Sequence, residues 1–156
     1  MKVKVIGLCL VLFFAGVVVA SPQDPNVGTW KLNEAKSRFS KGATKNHTVV
    51  YESAGDLDTT KVIVDGTDAS GNATHNEWTG RFNGLYYAVT GDPGSDMRMY
   101  SRINNRTLSI TAKKDGKVTL TGTITISRDG KSRTVTTSGT DANGRRFRNT
   151  AVYDKQ

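Results

Sequence analysis

The chain has 156 residues, of which 22 are Lys or Arg and 14 are Asp or Glu, so its formal net charge is +8. This length fits a single domain. The only cysteine, Cys9, lies in an apolar segment near the N-terminus, so the rest of the chain has no disulfide, no cysteine-ligated zinc and no cysteine nucleophile.

Residues 1–20 have the pattern of a secretory signal peptide. Two lysines precede an unbroken apolar stretch, 5–19, and the small residue Ala20 follows it. An uncleaved anchor is the alternative, because about 20 apolar residues cross a bilayer. The positive start and the small residue favour cleavage after Ala20. We therefore expect a secreted or periplasmic protein with one domain over residues 21–156.

Beyond this segment, short β-type runs alternate with tight turns. Pairs such as Asn83-Gly84 and Asp115-Gly116 are strong hairpin signals, because both residue types tolerate a positive φ. A helix-type segment, 33–39, follows the first run. The strands are predicted at about 27–32, 46–53, 58–65, 73–82, 84–90, 96–103, 107–113, 117–127, 132–139 and 145–154. This spacing predicts an all-β, antiparallel up-and-down β-barrel of about 8–10 strands with one short helix after the first strand.

Alternation within the strands predicts one apolar inner face in each. Val118, for example, shares parity with Leu120, whereas Thr119 and Thr121 have the opposite parity. A side-chain-filled core is the alternative to a cavity, because a sequence gives no internal volume. On the cavity interpretation, six large side chains contact a ligand: Trp78, Phe82, Tyr87, Met97, Met99 and Tyr153.

The opening run Val27-Gly28-Thr29-Trp30-Lys31-Leu32 resembles the Gly-x-Trp signature of lipocalins and of the related fatty-acid-binding proteins. The end of the chain, Ala151-Val152-Tyr153-Asp154-Lys155, is similar to the last strand of the latter family. The resemblance implies a calycin barrel that binds a ligand inside. We interpret Gly28 and Trp30 as structural, since Gly28 permits close approach and Trp30 can plug one end of a barrel.

The chain also departs from that family. The arginine that holds a fatty-acid carboxylate falls on Ala151, so the implied ligand is mostly neutral. The segment 33–44 is too short for the family's two-helix lid, and the family is cytosolic, whereas residues 1–20 predict export. These features predict an exported, monomeric, non-catalytic protein that binds a small, mostly neutral, apolar and lipid-like ligand without a cofactor.

The residues that could support catalysis or metal binding are few. His47 and His75 are the only histidines, which excludes a three-histidine zinc site, although His75 shares a strand face with Glu77. The chain has neither a Gly-x-Ser-x-Gly elbow nor a phosphate-binding loop. We therefore assign no catalytic and no metal-binding residue.

Clusters of basic residues suggest an alternative function. One cluster is Lys113-Lys114-Lys117, and Arg98 and Tyr100 share a strand face that can stack on bases or sugars. If neighbouring hairpins align, a positive edge would form from Arg128, Lys131, Arg133, Arg145, Arg146 and Arg148. The protein would then be an envelope-associated structural or polyanion-binding module with a filled barrel. Export argues against a nucleic-acid partner, and solvated strand faces are the simpler interpretation of the charges.

Overall fold

The computed structural model describes residues 24–56, 58–141 and 144–156. The predicted signal peptide lies outside these residues. Ten strands make up the fold: β1 (Gly28–Leu32), β2 (Lys45–Ser53), β3 (Thr60–Thr67), β4 (Ala73–Gly80), β5 (Asn83–Thr90), β6 (Met97–Asn104), β7 (Thr107–Lys114), β8 (Lys117–Ile126), β9 (Ser132–Thr140) and β10 (Arg146–Lys155).

The strands form one closed antiparallel barrel, which confirms the predicted fold class. Each strand pairs with its neighbours in sequence, and β1 closes the barrel by pairing with both β2 and β10. Trp30 pairs with Val49 on one side and with Lys155 on the other. The tight turns follow the predicted chemistry: at the β7–β8 turn, Asp115 and Gly116 have φ values of 48° and 76°.

The predicted helix after the first strand is a single 3-10 turn, Glu34–Lys36. The side chain of Asn33 accepts a hydrogen bond of 3.2 Å from the backbone N–H of Lys36 and so caps the turn. The chain then becomes extended, because Arg38 exchanges two backbone hydrogen bonds, of 2.7 and 2.8 Å, with Thr150 of β10. Pairing with β10 therefore ends the helix after one turn.

The antiparallel order gives the barrel two different ends. We call one the Trp30 end; it carries the described N-terminal residues 24–27 and the connections into β3, β5, β7 and β9. We call the other the Phe39 end; it carries the connections into β2, β4, β6, β8 and β10. Strand parity decides which side chains enter the space between these ends.

The interior is densely filled by side chains from every strand. The buried hydrophobic residues are Trp30, Val49, Tyr51, Val62, Val64, Trp78, Val89, Tyr100, Leu108, Ile110, Ala112, Ile124, Ile126, Ala151 and Tyr153. Val118 differs from the prediction, since its side chain is 54% exposed. A register shift pairs Ala112 with Leu120 but Lys113 with Val118, so the extra residue Thr119 turns Val118 to the outer face.

Candidate ligand-binding site

The Trp30 end contains a buried arginine that is surrounded by aromatic rings. The side chain of Arg133 is 2% exposed, and Trp30 is fully buried beneath it. The guanidinium carbon of Arg133 lies 4.8 Å from the ring of Trp30, 4.7 Å from that of Tyr51 and 4.9 Å from that of Tyr153. Trp30 Nε1 donates a hydrogen bond of 2.9 Å to the carbonyl of Asn26. These contacts fill the barrel interior at this end with side chains.

Arg133 is stabilised mainly by those rings. Its Nε and Nη1 atoms have no hydrogen-bond partner, and no carboxylate of the described residues forms an ion pair with it. The negative faces of the aromatic rings can support a desolvated cation. Burial raises the pKa of Tyr153 to about 12, against the opposing effect of the nearby Arg133 charge. Tyr153 is therefore uncharged at physiological pH. Its ring, with those of Trp30 and Tyr51, forms an aromatic cage around Arg133.

Three of the six predicted ligand contacts come together in one aromatic cluster. The ring of Trp78 lies 6.2 Å from that of Phe82, 5.7 Å from that of Tyr87 and 4.8 Å from that of Tyr100. Tyr87 also covers Gly80, where an added Cβ would lie 2.5 Å from the tyrosine ring. The rings pack on one another and fill this part of the barrel. A role in ligand contact stays a prediction for these residues and for Tyr153.

Met97 and Met99 differ from their predicted placement. The buried residues of β6 are Arg98 and Tyr100, so the two methionines lie on the opposite, outer face of the strand. Both faces of this segment carry large side chains, and apolar character alone favours methionine for the interior. Arg98 is nevertheless inside because other polar groups satisfy it there.

Arg98, which was expected on a solvated strand face, is the centre of a buried polar network. Its Nη2 atom donates a hydrogen bond of 2.9 Å to Asp92 Oδ2, and its Nη1 atom lies 3.4 Å from Asn76 Oδ1. Ser95 Oγ donates a bond of 2.5 Å to the same carboxylate oxygen of Asp92. Asp92 and Ser95 belong to the β5–β6 connection, so the network fastens that loop over the Phe39 end. The sequence did contain a signal for this burial, because Arg98 has the same strand parity as the large aromatic residue Tyr100.

The larger cavity lies at the Phe39 end. It has a volume of about 570 Å³ and opens between the β1–β2 connection and the β3–β4 turn. Phe39, which packs against the core, contributes its aromatic surface. The lining residues are Glu34, Ser37, Phe39, Ser40, Gly42, Ala43, Lys45, His47, Thr67, Asp68, Ala69 and Gly71. None of these residues is among the ligand contacts predicted from the sequence.

The charged groups of this cavity are mostly paired with one another. Lys45 Nζ lies 2.7 Å from Glu34 Oε2, and this hydrogen bond holds the pKa of Glu34 below its ordinary value. His47 Nε2 lies 2.9 Å from Thr67 Oγ1. The carboxylate of Asp68 accepts hydrogen bonds from its own turn, including both nitrogens of Asn72. The cavity therefore offers an aromatic face and hydroxyls with little unpaired charge.

A smaller cleft of about 240 Å³ lies at the same end, across β8, β9 and β10. It shares no lining residue with the larger cavity. Its lining residues are Val118, Thr119, Leu120, Thr121, Ser138, Gly139, Thr140, Arg146 and Phe147.

The predicted basic edge is divided between the two ends of the barrel. Arg128 and Lys131 lie in the β8–β9 connection at the Trp30 end, whereas Arg145, Arg146 and Arg148 lie at the start of β10, at the Phe39 end. The nine residues of β9 separate the two groups, or about 30 Å. Arg133 departs further from the prediction, because it is buried inside. Polyanion contact by the exposed groups stays a prediction.

His47 and His75 each contact a side chain of a neighbouring strand. His75 lies on the outside, with Nδ1 2.7 Å from Asp65 Oδ1 and Nε2 3.4 Å from Glu77 Oε1, and the hydrogen bond with Asp65 raises the pKa of His75. Within residues 24–56, 58–141 and 144–156 there is no cluster of three or more His, Cys, Asp or Glu side chains suited to a metal ion.

No helix of the described part has the length and apolar content to span a membrane.

Comparison with known proteins identifies the fold and no family. No protein-family model matches the chain, and no curated protein matches it. The solved structure of EF1p2_mFAP2b bound to DFHBI is similar, with a TM-score of 0.51 and 12% identity over 85% of this chain and 94% of that one. A redesigned β-barrel, mFAP1 bound to DFHBI, has a TM-score of 0.49 and 14% identity over 86% of this chain and 100% of that one. The similarity to EF1p2_mFAP2b shows that a barrel of this fold also occurs in a solved structure.

Proposed function

We propose that this protein is an exported, non-catalytic binding protein for one small, mostly neutral, lipid-like molecule that enters at the Phe39 end of the barrel. The observation that carries the proposal is the difference between the two ends. Trp30 and Arg133 are buried in the interior at the Trp30 end, whereas the Phe39 end has a cavity of about 570 Å³. Small-molecule sites typically have roughly 300–1,000 Å³.

The lining of the larger cavity favours a ligand without net charge. Glu34 and Lys45 already pair at 2.7 Å, and Asp68 is held by its turn, so an ionic ligand would have to displace an existing partner. The ring of Phe39 offers apolar contact, and the hydroxyl of Thr67 offers a hydrogen bond. An uncharged molecule with apolar surface and one or two polar atoms suits this lining.

The known structures support the proposal at the level of the fold. The similar barrel EF1p2_mFAP2b is bound to DFHBI in its structure. A barrel of this kind therefore has room for a small molecule when its side chains allow it.

Export rests on the pattern of residues 1–20. We expect purified protein from a secreting host to begin at Ser21, and intact-mass measurement tests this directly. Native mass spectrometry with organic extraction would then reveal a bound neutral molecule at about one per chain.

A fluorescent neutral probe tests the site itself. N-phenyl-1-naphthylamine should bind the wild-type protein, and Phe39→Ala should weaken binding about tenfold, because burying an aromatic side chain contributes on the order of 1.5–3 kcal/mol. Phe147→Ala is the matched control, since Phe147 is a half-buried phenylalanine at the same end that lines the other cleft. Equal affinity in wild type and Phe39→Ala, with both proteins folded by circular dichroism, would remove the larger cavity as the site.

A further inference from the structure

The smaller cleft lies between two hairpins that separate at the Phe39 end. β8 and β9 pair from Leu120 and Gly139 onward, so the hairpin formed by β7 and β8 diverges from that formed by β9 and β10 beyond this pair. The cleft of about 240 Å³ occupies the resulting space. An added Cβ at Gly139 would lie 2.0 Å from the carbonyl oxygen of Thr119 and 2.8 Å from the ring of Phe147. A side chain at this position would therefore clash with both Thr119 and Phe147.

The floor of the cleft is apolar. Val118 is 54% exposed because the bulge at Thr119 turns it outward, and Leu120 and Phe147 are half-buried beside it. Hydroxyls from Thr121, Ser138 and Thr140 surround this apolar surface.

Basic residues lie at the same end of the barrel as the cleft. The hairpin of β7 and β8 carries Lys113, Lys114 and Lys117, and the start of β10 carries Arg146 and Arg148. These are two of the clusters that stand out in the sequence, and of their members Arg146 lines the cleft. Two cations of the region have partners: Lys113 lies over the ring of Tyr86 at 4.0 Å, and Arg145 is paired with Asp141 at 2.9 Å.

Arg146 differs from those two cations. It lines the cleft, it is exposed, and no ion pair with it is present among the described residues. A guanidinium can hold an oxyanion with two parallel hydrogen bonds. An unpaired guanidinium above an apolar floor is suited to a molecule that is both charged and apolar.

We propose that this cleft is a second binding site, separate from the larger cavity, for a small amphiphilic anion: a compact apolar body on Val118 and Phe147 with its oxyanion head group on Arg146. The neighbouring lysines raise the local concentration of anions. A polyanion without an apolar part would gain nothing from the exposed valine and the phenylalanine. The site therefore goes beyond the neutral ligand proposed for the larger cavity and does not depend on it.

A pair of related probes tests this site. 8-Anilinonaphthalene-1-sulfonate is N-phenyl-1-naphthylamine with a sulfonate added. We expect Val118→Asp to abolish binding of the sulfonate at this cleft, because the substitution removes apolar floor and adds a repelling charge. Ile103→Asp is the matched control, since Ile103 is an apolar β-branched residue of similar exposure, 59%, near the Trp30 end. Neither change removes a buried group.

The head group is tested in the same titration. Arg146→Gln should weaken the sulfonate about fivefold, as for loss of one exposed ion pair, and leave the neutral probe unchanged. Arg148→Gln removes the same charge two residues along β10, outside the lining of the cleft, and should have a smaller effect. Raising the salt concentration should weaken the sulfonate and not the neutral probe.

Three results would overturn the proposal. The first is equal sulfonate affinity in the Val118→Asp and Ile103→Asp proteins. The second is equal loss in the Arg146→Gln and Arg148→Gln proteins, which would indicate diffuse charge attraction. The third is tight binding of a heparin fragment that Val118→Asp leaves intact while the sulfonate fails to bind, which would identify a polyanion surface.

Discussion

Nη2 of Arg98, inside the barrel, lies 2.9 Å from Oδ2 of Asp92, which reaches inward from the β5–β6 connection. The side chain of Arg98 is only 10% exposed and that of Asp92 25%. A guanidinium in this position needs its counter-charge, because an unpaired buried charge is costly. The loop thus supplies the group that allows β6 to carry an arginine on its inner face.

Removing the carboxylate should therefore destabilise the protein more than removing the whole pair. We expect Asp92→Asn to lower the free energy of unfolding by about 2 kcal/mol, below the 3–5 kcal/mol of a fully buried pair because water reaches Asp92. Arg98→Met should cost less, and the double variant should be no worse than Arg98→Met alone. Urea unfolding measures all three. Strictly additive losses would show that the two side chains are not coupled.

The aromatic cage predicts a different response at Arg133. Arg133→Met keeps the apolar contacts with Trp30, Tyr51 and Tyr153 and removes a charge whose Nε and Nη1 lack partners, so we expect a loss below about 1.5 kcal/mol. Arg133→Lys buries a strongly hydrated ammonium that cannot stack flat on the rings. We expect it to cost more than methionine, by about 1–2 kcal/mol. Unfolding followed by tryptophan fluorescence compares the two variants, and a lysine protein as stable as wild type would contradict this account of the cage.

The tyrosine pKa values predict loss of stability in alkali. Burial raises the pKa of Tyr153 to about 12 from its ordinary 10.0 and also raises that of Tyr100. The folded state holds these protons more tightly than the unfolded state does. The two protonated tyrosines therefore contribute fully to the free energy of unfolding below pH 10, and this contribution is lost as the pH rises towards 12. For Tyr153 this amounts to on the order of 2–3 kcal/mol.

A spectroscopic titration checks the assignment. Tyr100 and Tyr153 should ionise above the ordinary tyrosine pKa of 10.0, in absorbance at the phenolate band. Tyr153→Phe should remove one late-titrating group and flatten the fall in stability above pH 10. Ionisation of Tyr100 and Tyr153 near pH 10 in the folded protein would contradict this account of their burial.

Two glycine substitutions test the packing of the aromatic cluster. An added Cβ at Gly80 would lie 2.5 Å from the ring of Tyr87 and 2.7 Å from that of Trp78, so Gly80→Ala should cost about 1–3 kcal/mol by overpacking. Gly94→Ala is the control, because its Cβ would meet only Asp92 Oδ1, at 3.4 Å. Thermal unfolding should show a clear drop in Tm for the first variant and little change for the second.

Turn chemistry and strand parity predicted the barrel but not which residues line its sites. Pairs such as Asp115-Gly116 report local backbone preferences, so the hairpins could be read directly. The outward position of Val118 could not be predicted in this way, because a one-residue bulge reverses parity without any signal in composition. Arg98 and Arg133 were placed outside by their charge. Their burial is explained by partners that strand parity does not reveal: Asp92 of the β5–β6 connection for Arg98, and the rings of Trp30 and Tyr51, distant in sequence, for Arg133.

The cavity at the Phe39 end was missed for a related reason. Its walls come from the β1–β2 connection, the first residues of β2 and the β3–β4 turn. Residues in such connections follow no periodic pattern, so parity gives no information about which of them converge. Phe39 was within the predicted helix, and the extended pairing of Arg38 with Thr150 is what places it beside the core.

The central claim, that the barrel binds a small neutral molecule at one end only, is tested most directly by mapping amide chemical shifts during titration with N-phenyl-1-naphthylamine. The account predicts saturable shifts at Ser40, Lys45 and Thr67 around the larger cavity, with the amides of Thr29 and Ser132 at the Trp30 end unchanged. Shifts confined to the Trp30 end, or no saturable shift at any amide of a folded protein, would contradict it.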